Sequence, residues 1–419
     1  LNVALVFPKS TFLIDPMVYP PLGLWYLAAQ LEAQGHHTDF FDLSEDELPQ
    51  DGDFDQLWIG ATSAQMHEVR RIGDRVVGWE RTHTVLGGAA PWANPKQCQD
   101  LGFDLVVSGE SDHPDVVQDI LTRAAERPGH VQAYPVQSDL EHLLPPVRRW
   151  SQRYHAFLED RQGHQHPTTT LFTSRGCPMA CAFCESGRNG VIWDKFVRYE
   201  SVDLVRQQLD QARELGFTGI MFYDDILPLN KPRTLQILEL LRERNLVWRC
   251  FIRTDVIAKQ GGFEYLKQMA DAGLVEVLAG VETADNRIKQ NITKGTTIEQ
   301  DTQALEWCKQ LGIKFKASFI LGLPGEDRQS MERTRDWILE HRPDRADVNT
   351  LIPFPGTPLT SHAAQYDLYW TEDFPEELWY KGPRDASVGI VGTSHLHPQE
   401  IKDFRDQLVR ELDELGIPY

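Results

Sequence analysis

The sequence is poor in cysteine, in basic charge and in long apolar runs, and each shortage excludes a class of protein. Six cysteines in 419 residues are too few for a disulfide framework and fit a reducing compartment. No apolar run reaches the roughly 18 residues of a membrane span. The amino-terminal residues lack the basic stretch and apolar core of a secretory signal, so the expected location is the cytoplasm. Lys plus Arg (42) against Asp plus Glu (62) leaves a net charge of −20, which repels polyanions, so nucleic acid is not an expected partner. Short basic groups such as Arg148-Arg149 read as solvated surface. A hydrophobic content of 41% is that of a globular protein long enough for more than one domain. A small molecule or a peptide is the expected substrate.

Three of the few cysteines fall together. Cys177, Cys181 and Cys184 are spaced C-x3-C-x2-C, just after the β-branched and apolar run Thr168–Phe172, which reads as a strand. A loop leaving that strand can turn three thiolates inward, and Gly176 and Pro178 suit a tightly wrapped backbone. Zinc would want a fourth Cys or His close by, and His164 and His166 are the nearby candidates. Three unrelated thiols are the plainest reading. An iron–sulfur cubane takes four ligands, so three cysteines leave one iron open to a small molecule. The spacing resembles the radical SAM superfamily, with Phe183 in the place of the family's aromatic residue. That resemblance implies a [4Fe-4S] cluster on the three cysteines and S-adenosylmethionine (SAM) on the open iron.

Residues 1–130 alternate strand and helix: strand Val3–Phe7, helix Trp25–Gln34, strands His37–Phe41 and Leu57–Gly60, helix Gln65–Trp79, strand Thr84–Leu86, helix Pro95–Leu101, strand Leu105–Val107. Such alternation predicts a doubly wound parallel sheet, which binds ligands beyond the carboxyl ends of its strands. Those ends carry Ala61-Thr62-Ser63-Ala64-Gln65, Gly87-Gly88-Ala89 and Ser108-Gly109-Glu110-Ser111. With Pro20-Pro21-Leu22-Gly23-Leu24 and the following Tyr26-Leu27-Ala28, they resemble the cobalamin-binding domain attached to one group of radical SAM enzymes. The resemblance assigns cobalamin contacts to Thr62, Ser63, Gln65, Gly87, Gly88, Gly109 and Glu110. The Asp-x-His-x-x-Gly string that ligates cobalt from below in other cobalamin domains is missing; His36 and His37 read as surface residues. Gln65 and Met66 are the candidates for the place beneath the cobalt.

Residues 131–167 read as a linker with a short helix near Trp150–Leu158. Residues 168–360 resume the βα order, and with the strand before the cysteines they make six units, a partial barrel with its chemistry at the carboxyl ends. Those ends carry Asp224-Asp225, Arg253-Thr254-Asp255, Gly280-Val281-Glu282-Thr283 and Gly322-Leu323-Pro324-Gly325-Glu326. The resemblance places Asp224 and Asp225 on the SAM amino group, Arg253 on its carboxylate, Glu282 on its amino acid or ribose, Ser318 on the carboxylate and the segment from Gly322 against the adenine. Lys294-Gly295-Thr296-Thr297 and Pro353–Leu359 match further signatures of the group. Cys98, Cys250 and Cys308 read as buried small hydrophobes. Residues 361–419 read as a short C-terminal cap over the barrel mouth, with Tyr366, Tyr369, Trp370, Phe374, Trp379 and Tyr380 as packing or pocket aromatics and His395 and His397 as loosely held site candidates.

The resemblance implies a cobalamin-dependent radical SAM methyltransferase. Its 5′-deoxyadenosyl radical would open an unactivated carbon to a methyl group from methylcobalamin, with electrons from a donor such as flavodoxin or ferredoxin. A radical oxidoreductase, cyclase or ring-rearranging enzyme on the same scaffold is the alternative. A non-catalytic cobalamin or SAM sensor is the reading from another class.

Overall fold

The computed structural model describes residues 1–11, 13–186, 196–370 and 389–419. Two parallel sheets dominate it. The first is built from β1 (Asn2–Phe7), β2 (His37–Asp42), β3 (Gln56–Gly60), β4 (His83–Gly87), β5 (Leu105–Ser108) and β6 (His130–Ala133), in the spatial order 2-1-3-4-5-6. Val3–Val6 and Leu57–Ile59 are almost wholly buried, as continuous apolar strands covered on both faces must be. The order reverses between β1 and β3, which makes their carboxyl ends the ligand-binding switch point. Helix Leu22–Ala33 covers one face. Helix Pro114–Ala125 and β6 lie beyond the last element expected from sequence, so the sheet runs to residue 133.

The linker is better ordered than its composition suggests. Instead of a helix at Trp150–Leu158, a single short turn, Ser151–Arg153, leads into β7 (Ala156–Glu159), which pairs antiparallel with β8 (Gln165–Leu171). The alternating burial of β7 has the period of a strand, two, and the Asp160–Gly163 turn closes the hairpin. Trp150 and Tyr154 pack beside fully buried Trp25, with ring centroids 6.4 and 5.8 Å away. Such aromatic pairs add ~0.5–1.5 kcal/mol each beyond their area, and they fasten the linker to the first domain.

After β8 come the short pair β9 (Ser174–Arg175) and β10 (Arg198–Tyr199), then β11 (Gly219–Phe222), β12 (Val247–Ile252), β13 (Leu274–Glu282), β14 (Lys314–Leu321) and β15 (Arg345–Thr350). The second sheet is ordered 15-14-13-12-11-8-7, six parallel strands with β7 as an antiparallel edge, a partial βα barrel. Its helices are set by their caps: the Ser201 hydroxyl accepts from the Leu204 amide, and Thr297 and Gln300 form a reciprocal capping box. The outer residues of β14, Phe315, Ala317, Phe319 and Leu321, are fully buried against helices. Its other face, with Ser318, is only partly buried and looks into the barrel.

The tail divides. Leu359, Leu368 and Val391, with β16 (Leu368–Trp370) and β17 (Val391–Thr393) pairing antiparallel, pack on Ala182 and Phe183 at the barrel mouth. Helix Pro398–Glu414 does not cap the mouth. It joins the outer layer beside β15, where Arg405 donates to the Val348 carbonyl and Ile401, Phe404 and Leu408 enter the barrel core. His397 is the N-cap of that helix and His395 is exposed, so neither faces the barrel interior. Tyr366 and Trp370 border the mouth cluster; Phe374, Trp379 and Tyr380 lie outside the described residues.

Candidate functional site

The loop carrying the three cysteines is held from its first residue. Asp224, at the end of β11, accepts from the Thr173 and Ser174 amides at 2.7 Å each and from their hydroxyls at 2.9 and 3.0 Å. Arg233 fixes the Thr173 hydroxyl and carbonyl, both at 2.9 Å. Asp224 is wholly buried and its oxygens are fully engaged. This corrects the expectation that it meets a ligand amine: it shapes the loop. Asp225 is the open member of the pair. It takes the Gly176 amide and stands close enough to Cys177 and Cys184 to raise both thiols, while its own carboxyl is pushed up to about 6, first by burial and then by Asp224.

Gly176, at φ +94°, turns the chain into the cysteines. Ala182 donates to the Ile292 carbonyl and accepts from Leu359, pinning the loop between barrel and tail. Burial pushes the Cys177 thiol up to about 11 and the Cys184 thiol up to about 12. Both are neutral thiols at neutral pH, and metal binding releases such protons. Among the described residues no three His, Cys, Asp or Glu side chains converge on a single ion. His164 and His166 both bind Asp160 at the opposite end of β8, so neither completes a zinc tetrahedron with these cysteines. Three free cysteines on one loop are the donor chemistry that a [4Fe-4S] cluster takes, with one iron left open.

Around the cysteines the polar strand ends bind one another. Arg253 reaches Cys181 Sγ at 3.5 Å, the Lys294 carbonyl at 2.5 Å and Asp255 at 3.1 Å, so its guanidinium faces the Cys181 sulfur and three of its five N–H donors are engaged within the protein. Glu282 sits at φ +66°, at a register shift in β13, and pairs with Lys294 at 2.6 Å. A Cβ on Gly280 would lie 2.2 Å from the Glu282 carboxylate, so only glycine leaves room for that pair. Lys294 also lies 5.8 Å from the Phe183 ring centroid. The Gly322 amide is engaged by Glu326 at 2.6 Å, and a Cβ there would meet Ile401. Gly322 therefore holds its loop to the last helix.

A cavity of about 510 Å³ opens at the switch point of the first sheet. Thr62, Gly87, Gly88, Gly109 and Glu110 line it. A Cβ on Gly87 would meet nothing nearer than 3.9 Å, and one on Gly23 nothing within 4 Å; these glycines keep open a space that side chains would fill, as a large ligand requires. Gly88 and Gly109 are needed for the turns, at φ +97° and +111°, with a backbone oxygen 2.5 and 2.0 Å from any Cβ. The other candidates in this region do not reach the cavity. Gln65 is wholly buried, donating to the Pro8 carbonyl and Ser10 while accepting from the Thr62 amide. Met66 packs in the core against Cys98. Ser63 donates to Glu185, the residue after Cys184. The Glu110 carboxylate is taken by Arg198 at 2.6 Å, the Gln137 amide at 2.7 Å and Arg175 at 3.3 Å.

Arg175 thus joins the two domains: two residues before Cys177, it also forks onto Asp112 at 2.5 and 3.2 Å. The far wall of the cavity belongs to the barrel, through Phe172, Arg175 and Tyr223. Arg175, Asp112, Lys294 and Tyr223 were not among the residues expected from sequence. Asp112 directly follows the quoted Ser108–Ser111, Lys294 opens the quoted Lys294–Thr297, Arg175 directly precedes Gly176 and Tyr223 directly precedes Asp224, so proximity to a quoted motif or strand end was the available signal.

These neighbouring sites define a class of enzyme that keeps an iron–sulfur cluster and a corrinoid within reach of one another. Residues 171–338 match the model of the radical SAM superfamily and residues 16–117 that of the B12 binding domain. The chain carries a radical SAM domain and a B12 binding domain, and its cofactors are a [4Fe-4S] cluster, SAM and cobalamin. It is similar to the uncharacterized methyltransferase PH0819 of Pyrococcus horikoshii, 28% identical over 88% of this chain and 85% of that protein. It is also similar to the cytidylyl-2-hydroxyethylphosphonate methyltransferase of Streptomyces wedmorensis, 25% identical over 91% of this chain and 85% of the relative. The solved structure of the radical SAM methyltransferase TsrM from Kitasatospora setae, with cobalamin and a [4Fe-4S] cluster bound, shares the fold at a TM-score of 0.66 and 16% identity, covering 92% of this chain and 80% of that one. Among the described residues no helix is long and apolar enough to cross a membrane.

Proposed function

We propose that the chain is a cobalamin-dependent methyltransferase acting on an unactivated carbon of a small molecule or peptide. One observation carries the reading: the glycine-kept cavity of the first sheet is walled on its far side by barrel residues that border the cysteine loop. When bound, the cluster and SAM supply a hydrogen-abstracting radical and the cobalamin supplies the methyl group. In this reading Cys177, Cys181 and Cys184 hold the cluster. Asp225, Glu282 and Ser318 face the amino-acid end of SAM, with Phe183 beside the cluster. Arg253 donates to the Cys181 sulfur, and a charged donor there stabilises negative charge on the cluster. Thr62, Gly87, Gly88 and Gly109 line the cobalamin. The proposed division is a cobalamin domain over residues 1–133, a connector over 134–155, and a radical core over 156–360 completed by helix Pro398–Glu414, with the substrate-determining residues in the stretch between 360 and 398. The working setting is the cytoplasm, with a flavodoxin or ferredoxin as electron donor and no nucleic-acid partner.

The test is anaerobic reconstitution with iron, sulfide and hydroxocobalamin, followed by reductant and SAM carrying an isotopically labelled methyl group. About four irons and one cobalt per chain, 5′-deoxyadenosine formation and label passing to the bound cobalamin are expected. Deoxyadenosine without label on the cobalamin would favour oxidation or cyclisation. Zinc in place of iron would overturn the assignment.

A further inference from the structure

The motif that opens the first helix contains a tyrosine to which the cofactor reading gives no role. Leu22, Gly23, Leu24 and Leu27 of helix Leu22–Ala33 line the cavity, so this helix is one wall of the proposed corrinoid site. Tyr26, among them, sends its hydroxyl to the barrel and donates to Glu200 Oε1 at 2.7 Å. The other Glu200 oxygen accepts from the Gln208 side-chain amide at 2.6 Å. Arg148 completes the group, donating to the Gln208 side-chain oxygen at 3.3 Å and to the Thr170 carbonyl of β8 at 3.0 Å. None of Tyr26, Glu200, Gln208 and Arg148 is more than 4% exposed. Glu200 is also tied to the start of the cysteine loop. Its amide donates to the Thr173 carbonyl at 2.9 Å, and Arg233 donates to the Glu200 and Thr173 carbonyls, both at 2.9 Å.

A buried polar network adds little net stability over apolar packing of the same shape. What it adds is a fixed direction and length, since a hydrogen bond tolerates little change in either. Phenylalanine would fill the same ring space and join the domains without that constraint. Arg175 joins them at the loop after β5, whereas Tyr26 holds the helix that forms the cavity wall. Two cofactors acting on one substrate need a fixed spacing, because a misplacement of about 1 Å slows a reaction severely. We propose that Tyr26 is a positioning residue: through Glu200 it sets the separation between the corrinoid of the first sheet and the cluster of the cysteine loop. The inference rests on the cofactor reading above.

The experiment loads wild type, Tyr26→Phe and Glu200→Gln with cluster and hydroxocobalamin and reduces them with dithionite, so that cobalt and cluster each carry an unpaired electron. Their dipolar interaction, read by electron paramagnetic resonance, falls with the cube of the separation. Tyr26→Phe is expected to hold iron and cobalt in wild-type amounts while its dipolar splitting changes, because the wall is released from its fixed distance. Glu200→Gln keeps an oxygen that accepts from Tyr26 and is expected to keep the wild-type splitting. An unchanged splitting in Tyr26→Phe would overturn the inference and leave the cofactor reading intact. Loss of either cofactor from that variant would also overturn it, since the hydroxyl would then build a site rather than space two. So would a Glu200→Gln splitting that departs from wild type, because the acceptor is still present. Wild type that takes up only one of the two cofactors would overturn both the inference and the reading beneath it.

Discussion

The two halves of the site are built on opposite principles. On the first sheet the site is a space, kept open by side chains that are missing: Gly87 and Gly23 leave room, and Gly88 and Gly109 supply backbone turns. On the barrel the site is a lattice of polar groups already bound to one another, Asp224 to Thr173 and Ser174, Arg253 to Cys181, Glu282 to Lys294. The difference follows from the ligands. A corrinoid is large and is gripped over its surface, so the protein must withdraw. A cluster and a sulfonium amino acid are small and charged, so the protein must orient charges beforehand.

The largest effect should come from breaking the barrel side alone. Cys181→Ala is expected to abolish cluster incorporation and deoxyadenosine formation while leaving hydroxocobalamin affinity unchanged, read by iron content and by titration. A joint loss would mean that the halves are not separable. Arg175→Met attacks the clasp between them, leaving the buried carboxylates of Asp112 and Glu110 without that guanidinium. Breaking a buried ion pair costs about 3–5 kcal/mol, so chemical denaturation should show a loss of that order, with weaker binding of both cofactors. If only cluster assembly suffered, the clasp would belong to the cysteine loop alone.

The glycines sharpen the contrast. Gly87→Leu is expected to leave the thermal midpoint of the cobalamin-free protein nearly unchanged, because the new side chain enters open space. It should weaken cobalamin binding ~10- to 100-fold, the overpacking cost of ~1–3 kcal/mol expressed as affinity. Gly88→Ala should do the reverse, lowering the midpoint through a strained φ and a clash with the Ala61 carbonyl. Equal midpoints for the two variants would undo the distinction between a glycine that makes room and one that makes a turn.

The contrast also explains which parts were legible in sequence. Strand–helix alternation gave both sheets, because parallel strands buried on two faces are continuous apolar runs. The hairpin of β7 and β8 was lost because its alternation lies in only a few residues and its turn resembles linker. The cysteines were legible because metal chemistry fixes their spacing. The roles of single polar residues were not. Asp224, Gln65 and Glu110 stand at strand ends as expected, yet each is engaged by groups far along the chain: Thr173, Pro8, Arg198. Position on an element follows from local pattern, whereas the direction and partner of a carboxylate follow from tertiary contacts that the pattern does not contain.

The last prediction is a pH slope on the barrel side. Glu326 holds the Gly322 and Leu323 amides from a wholly buried position, and burial pushes its carboxyl up to about 8. The folded state therefore keeps a proton that the unfolded chain releases near the ordinary carboxyl value. Between those two values the native state binds more protons, so this group's contribution to stability falls as pH rises and is fully present only below the ordinary range. Glu326→Gln keeps the shape and one hydrogen-bonding oxygen without the ionisation. Thermal midpoints measured from pH 5 to pH 9 should place the variant near wild type at the acid end and above it at the alkaline end. Parallel curves would mean that the loop after β14 is held by an ionised carboxylate after all, and that the barrel's polar lattice is charged at that position too.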